Sequence, residues 1–327
     1  MPSTSRSDVQ TGLTLVGYIE RRPWLWLVDV DARAIAPAKI SLSGNGDAVS
    51  AICTRRDWLA VETHTAVWSA PLGLNGPGRH LRQSYTFVPS SDRRAIWVDA
   101  GPHSRRSLEA VDDRGQVLDS LELPQGWRLH AETPHGFMIE NVDDRLIATF
   151  IGGNAEVLLR DVQALGARSG ALIAWTRRDD AVLGVTDLAT GTHEIRHPDV
   201  AEWQQFASFS PDGSYLAIGG YPDPPRGRTP SLSDASSQPY KGRRAVMALV
   251  ETASGECELM RGEFDNFAWT PTWSADASWV VFGAPFQRRR LYAFQPRERV
   301  LHALTFHRQP PMPMLDVTGI VTVPASG

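Results

Sequence analysis

Short apolar runs rich in β-branched and aromatic residues alternate along the chain with turns rich in Gly, Asp, Ser and Pro. Seven of these runs are each followed, after a turn, by a second run of the same kind. The first members of the pairs are 13–18, 58–61, 95–98, 137–140, 171–175, 215–218 and 279–282; the second members are 24–28, 66–68, 106–111, 146–150, 182–185, 245–250 and 291–294. Long amphipathic helical patterns are absent. The pattern therefore predicts an all-β chain.

The segment 206–220 is one copy of a repeat. A shift of 64 residues places Ser210 on Ser274 and Asp212 on Asp276, and Ser90 to Asp92 forms a third, weaker copy. Such offsets fit a repeat of about 40 residues, which is typical of propeller blades. The first repeat lacks a strand, and the segment 314–323 has no repeat of its own, so we expect this C-terminal strand to complete the first blade. The prediction is a seven-bladed β-propeller with four-stranded antiparallel blades, closed by a C-terminal strand.

In this division, residues 1–11 are expected to be disordered and residues 12–325 to form one domain. The predicted blades cover 12–42 with 314–324, 46–82, 83–123, 126–160, 162–198, 203–261 and 265–306. A segment rich in Pro, Ser and Gly, 221–244, is predicted to be a mobile insertion in the sixth blade.

The segments 210–218 and 271–282, the latter continuing to 291–294 and 301–305, resemble the WD-like repeat of TolB-type propellers. The resemblance implies the propeller fold. It does not identify a function, because propellers carry many unrelated activities. Nothing after Thr305 is long enough to be the peptidase domain that some TolB-type propellers carry.

Two residue types in the repeats are expected to be structural. In Ser-Pro-Asp-Gly turns the aspartate bonds to the backbone, so Asp212 and Asp276 are interpreted as turn formers and not as ligands. Four tryptophans within or beside equivalent strands are expected to fill space between blades, with stacking on a ligand as the alternative. They are Trp58, Trp97, Trp175 and Trp279.

Composition narrows the class of protein. The 327 residues are 42% hydrophobic and carry a formal net charge of −4, which allows a sizeable core and gives no indication of nucleic-acid or membrane binding. The polar N-terminus lacks the apolar centre of a signal peptide, so a cytoplasmic protein is expected. Cys53 and Cys257 are assigned to the inner strand of blade two and the outer strand of blade six and are expected to stay unpaired. No cofactor and no metal site are predicted.

Charged residues concentrate in the predicted connections between second and third strands, which should share one face of the ring. The predicted partner-binding residues there are Arg21, Arg22, Arg105, Arg106, Arg177, Arg178, Arg288 and Arg289, together with Tyr221, Arg226 and Arg228 of the insertion. Arginines bind carboxylates and phosphates in bidentate fashion, so this face suits a protein or peptide partner or an anionic small molecule. The competing interpretation is a solvated rim. Interleaved aspartates disfavour nucleic acid.

Two functions remain open. Standard catalytic signatures are absent, which favours a non-catalytic interaction scaffold that binds a protein or peptide through the Arg-bearing face. The alternative is a lyase or hydrolase that acts on an anionic small molecule or sugar acid in the central funnel. It would use His64 or His103 as the catalytic residue, with arginines such as Arg105, Arg177 or Arg288 as charge clamps.

Overall fold

The structure is a computed structural model that describes residues 4–5, 10–18, 25–32, 34–38, 49–84, 86–92, 94–100, 107–177, 181–222, 245–264, 271–284, 290–305 and 319–323. Every regular element in these ranges is a β-strand. No helix in the same ranges is long and apolar enough to cross a membrane.

One compact unit, Asp8–Gln163 with Asp316–Gly327, contains four antiparallel sheets of four strands, which are blades one to four. We call it the four-blade unit. Blade one consists of β2 (Thr14–Tyr18), β3 (Leu25–Asp29), β4 (Ala34–Ala38) and β29 (Gly319–Val323); blade two of β5 (Val49–Thr54), β6 (Trp58–Thr63), β7 (Val67–Pro71) and β8 (Arg79–Arg82); blade three of β9 (Phe87–Pro89), β10 (Ile96–Asp99), β11 (Ser107–Val111) and β12 (Val117–Glu122); and blade four of β13 (Arg128–Thr133), β14 (Gly136–Asn141), β15 (Leu146–Ile151) and β16 (Asn154–Arg160).

A second compact unit, Met1–Ser7 with Ala164–Leu315, contains blades five to seven and is called the three-blade unit. Blade five consists of β17 (Gln163–Ser169), β18 (Leu172–Arg177), β19 (Val182–Asp187) and β20 (Gly191–Ile195); blade six of β21 (Glu202–Phe209), β22 (Tyr215–Tyr221), β23 (Ala245–Glu251) and β24 (Cys257–Phe264); and blade seven of β25 (Thr272–Trp273), β26 (Val280–Ala284), β27 (Arg290–Gln295) and β28 (Val300–Thr305), with β1 (Thr4–Ser5) added at its edge.

The C-terminal strand supplies the strand that blade one lacks. β29 pairs antiparallel with β2 over its whole length, from Thr14 opposite Val323 to Tyr18 opposite Gly319. The predicted seven-bladed propeller closed by a C-terminal strand is therefore confirmed.

The N-terminal segment that was expected to be disordered includes one short strand. Thr4 and Ser5 pair in parallel with Leu301 and His302 of β28. The fourth strand of a blade has one unpaired edge, whose free N–H and C=O groups accept another strand, and β1 uses this edge in blade seven.

Large apolar side chains fill the layers between neighbouring blades. Trp58 packs with Ile96 and Val111 of blade three. Trp97 packs with Leu129 and other residues of blade four. The predicted interblade position of these two tryptophans is confirmed.

The other two tryptophans have described contacts within their own blades. Trp175 lies opposite Gly184 in the β18–β19 ladder, and its indole N–H donates to Thr186 Oγ1 at 2.9 Å. Trp279 lies beside His302, with ring centroids 5.5 Å apart. In blade five, the ring of Trp175 fits within the sheet because Gly184 on the neighbouring strand has no side chain.

The Ser-Pro-Asp-Gly turn works as predicted. Asp212 Oδ1 accepts from Ser210 Oγ at 2.6 Å and from the Ser214 N–H at 3.1 Å. These hydrogen bonds lower the pKa of Asp212, and the one from Ser210 has the largest effect. Asp276 repeats the arrangement with Ser274 and Ser278. Both aspartates are turn formers.

The cysteines lie in the strands predicted for them. Cys53 is in β5 and Cys257 is in β24, and both are free. Burial raises the pKa of the Cys257 thiol to about 11. This thiol therefore stays protonated near neutral pH and is a poor nucleophile.

Candidate functional site

The connections between second and third strands define one end of the blades in each unit. Successive strands of a blade run antiparallel, so every second strand passes to the third at the same end, which we call the loop end. In the four-blade unit these connections are 19–24, 64–66, 100–106 and 142–145; in the three-blade unit they are 178–181, 222–244 and 285–289. Of the predicted site residues that the structure describes, His64 lies in one of these connections, whereas Arg177 is the last residue of β18 and Tyr221 the last residue of β22.

Most of the predicted site residues lie outside the described part of the chain. They are Arg21, Arg22, His103, Arg105, Arg106, Arg178, Arg226, Arg228, Arg288 and Arg289. The insertion is described only at Tyr221 and Pro222. Three predicted residues have a described environment, namely His64, Arg177 and Tyr221.

His64 is exposed in the β6–β7 turn at the loop end of blade two. Two residues before it, Glu62 is partly buried and accepts a hydrogen bond from Ser50 Oγ at 2.7 Å. Burial raises the pKa of Glu62. Hydrogen bonds from Ser50, Thr86 and the Phe87 backbone, and the nearby His64, oppose this shift without cancelling it. A carboxyl group whose pKa is raised by burial is able to hold or transfer a proton closer to neutral pH.

Acidic residues also occupy the loop ends of the second strands in blades three and four. Asp99 ends β10, and its Oδ2 lies 3.5 Å from Ser84 Oγ. Glu140, in β14, has a side chain only 3% exposed and binds Arg128 Nη2 at 2.8 Å. His130 Nδ1 lies 3.8 Å from the same Glu140 oxygen. Three neighbouring blades thus carry a carboxylate at the base of their loops.

Sequence reasoning missed these carboxylates. Glu62 and Glu140 are each the fifth residue of a six-residue second strand, so an alignment of the repeats shows the equivalence. Their burial and their partners could not be predicted from the sequence. Ser50 and Arg128 lie on the preceding strands, so these contacts depend on the register between the strands.

In the three-blade unit, Arg177 ends β18 and is already engaged. Its Nη2 lies 3.2 Å from Glu194 Oε1, and its guanidinium carbon is 5.6 Å from the centre of the Trp175 ring. The ion pair and the cation–π contact hold the guanidinium within blade five. An anionic partner would have to compete with Glu194 for it.

Tyr221, proposed as a contact residue, belongs to the core instead. Its side chain is 4% exposed and packs with Ala217, Ala245 and Met247. The reason is that β22 continues to Tyr221, which lies opposite Glu202 in the sheet. The insertion therefore leaves the blade after a buried residue.

Within the residues that the structure describes, no group of three or more His, Cys, Asp or Glu side chains is arranged to hold a metal ion.

Comparison with known proteins agrees on the fold. No protein-family model matches the chain, and no curated protein matches it in sequence. Hsv2 from Kluyvelomyces marxianus superposes with a TM-score of 0.51 at 11% identity, covering 81% of this chain and 83% of that one. The Cps50 (Swd1) β-propeller domain from Myceliophteria thermophila gives 0.51 at 13% identity, covering 81% and 89%. TolB from Acinetobacter baumannii gives 0.48 at 12% identity, covering 95% and 68%.

Fold and strand order together define the class of protein: a seven-bladed β-propeller with four-stranded antiparallel blades. The propeller fold that the resemblance to TolB-type and WD-like repeats implies is confirmed. At these identities it carries no information on ligand or partner.

Proposed function

We propose that this propeller is a non-catalytic interaction platform that binds a protein or peptide partner at the loop end. The observation that carries the proposal is the strand order. It assigns the segments that contain Arg21, Arg105 and Arg288 to second-to-third connections, as it does for the insertion. Loops on a rigid β scaffold are the usual location of binding residues.

Arginine supplies the chemistry of recognition. A guanidinium group offers a planar set of donors that fits a carboxylate in bidentate fashion, and it stays charged at all physiological pH values. An acidic protein surface or peptide is therefore the preferred partner, and an anionic small molecule shares the same chemistry. Val142, in the β14–β15 connection at the loop end, is 46% exposed and adds an apolar contact beside the charges.

The test compares matched charge reversals at the two ends of the four-blade unit. Arg105→Glu with Arg106→Glu changes the loop end. Arg56→Glu with Arg114→Glu makes the same charge change in the β5–β6 and β11–β12 turns at the opposite end, where both arginines are exposed. We expect affinity capture from the source cells to lose the partner with the first variant and to retain it with the second. Equal recovery of the partner with both variants would show that the partner does not bind at the loop end.

The second candidate, a propeller enzyme for an anionic small molecule or sugar acid, is favoured by one observation. Glu62 combines a raised pKa with an exposed histidine two residues away. This candidate predicts that galacturonate or a sugar phosphate stabilises the protein in a thermal-shift screen, and that Glu62→Gln and His64→Ala each abolish turnover of that compound. If none of a panel of sugar acids and sugar phosphates stabilises the protein, this candidate is rejected.

A further inference from the structure

A polar cleft lies at the end of the blades opposite to the loop end, in the three-blade unit. One wall is the β23–β24 hairpin of blade six, and the other is the β27–β28 turn of blade seven. Its volume is about 230 Å³, and it is lined by Tyr215, Leu249, Glu251, Glu256, Glu258, Pro296, Arg297 and Arg299.

The strand register explains why the carboxylates share one wall. Leu249 lies opposite Glu258 in the β23–β24 ladder, and the Glu251 N–H donates to the Glu256 carbonyl where the hairpin closes. Residues directly opposite, and residues two apart on one strand, project from the same face of a sheet. Tyr215, opposite Glu251 in the next ladder, extends the same face.

Contacts between the two blades hold the walls in place. Arg299 Nε lies 3.6 Å from Glu258 Oε2 across the cleft. The Tyr215 ring stacks on Trp273 at a centroid distance of 6.4 Å, and the Trp273 indole N–H donates to the Ser208 carbonyl at 3.0 Å. The cleft is therefore built from fixed elements on both sides.

Opposite charges remain available on the two walls. Arg299 and Glu258 pair with each other, and Glu251 accepts from Ser254 Oγ at 2.6 Å. In the described part of the chain, Arg297 and the Glu256 carboxylate make no hydrogen bond or ion pair. Three carboxylates against two guanidinium groups leave the cleft with one net negative charge.

We propose that this cleft binds a basic amino acid such as lysine. The ammonium groups would face Glu251 and Glu256, and the carboxylate would bind Arg297 through charge-assisted hydrogen bonds. Leu249, Pro296 and Tyr215 also line the cleft and would contact the alkyl chain, which packs well against apolar surface. A net charge of +1 on the ligand neutralises the net charge of the cleft. The site is independent of the proposed loop-end function, because it lies at the other end of the blades.

The test is an NMR titration of the full-length protein with L-lysine. Norleucine lacks the side-chain ammonium and cadaverine lacks the carboxylate, so each loses one of the proposed contacts. Glu256→Gln and Arg297→Gln remove the two unpaired charges. Glu298→Gln is the matched control, because Glu298 is exposed in the same turn and does not line the cleft.

We expect saturable lysine binding whose dissociation constant rises about fivefold to tenfold in Glu256→Gln and in Arg297→Gln, the net worth of one hydrogen bond. Glu298→Gln should bind like the unmodified protein, and norleucine and cadaverine should bind at least about fivefold more weakly than lysine. Nα-acetyl-lysine distinguishes the source of the ligand: it binds if the site takes a peptide C-terminus and fails if it takes the free amino acid. Absence of saturable lysine binding, or equal dissociation constants in all variants, would overturn the proposal.

Discussion

At the residue scale, Glu132 shows how a half-buried carboxylate joins two blades of the four-blade unit. It lies in β13 of blade four and accepts hydrogen bonds from the turn and second strand of blade three. The donors are Ser90 Oγ at 2.6 Å, Ser91 Oγ at 2.6 Å, the Ser91 N–H at 3.1 Å and the Trp97 indole N–H at 2.6 Å. Burial acts to raise the pKa of Glu132, but these hydrogen bonds outweigh it, so the pKa is lowered.

Glu132→Gln should lower the free energy of unfolding at pH 7 by about 2–3 kcal/mol, because hydrogen bonds to a charged acceptor are lost and the new NH₂ group faces donors. Urea denaturation measures this value, with the exposed Glu156→Gln as the control. Since the folded pKa lies below the unfolded one, the contribution of Glu132 is complete above the unfolded pKa and is lost as pH falls through the folded pKa. The difference in free energy of unfolding between Glu132→Gln and the unmodified protein should therefore vanish in acid. A difference that persists unchanged at low pH would contradict this explanation.

At the element scale, blade five depends on a large ring packed against a glycine. A Cβ atom built on Gly184 of β19 would overlap the Trp175 ring of β18. A side chain at this position forces either the indole or the strand to move, and both movements disturb the hydrogen bond between Trp175 and Thr186.

Gly184→Ala should therefore destabilise the protein by about 3 kcal/mol, the upper range for overpacking in a core. Trp175→Phe should relieve part of the overlap, so a double-mutant cycle between the two positions should show a favourable coupling of at least about 1 kcal/mol. Gly76→Ala is the control, since a Cβ there meets only Pro71 Cγ at 3.4 Å. Additive effects of the two substitutions in thermal unfolding would show that the ring and the glycine do not depend on each other.

At the scale of the whole molecule, the sequence predicted the repeating features and not the contacts between distant residues. The seven strand pairs and the missing strand of blade one could be predicted, because the alternation of apolar and polar residues and the residue types of turns are local features of the sequence. The pairing of Arg177 with Glu194 was not predictable, because it joins β18 to β20 across β19 and depends on the register of both ladders. The cleft was missed for the same reason, since Tyr215, Glu256 and Arg297 meet only when two blades pack.

Site-specific photo-crosslinking in the source cells tests the proposed loop-end platform most directly. The probe p-benzoylphenylalanine is placed at position 64, in the β6–β7 turn at the loop end of blade two, and separately at position 56, in the β5–β6 turn at the opposite end; His64 and Arg56 are both exposed. We predict a discrete covalent adduct with a protein or peptide from position 64 and none from position 56. An adduct from position 56 alone, or from neither position, would contradict the account.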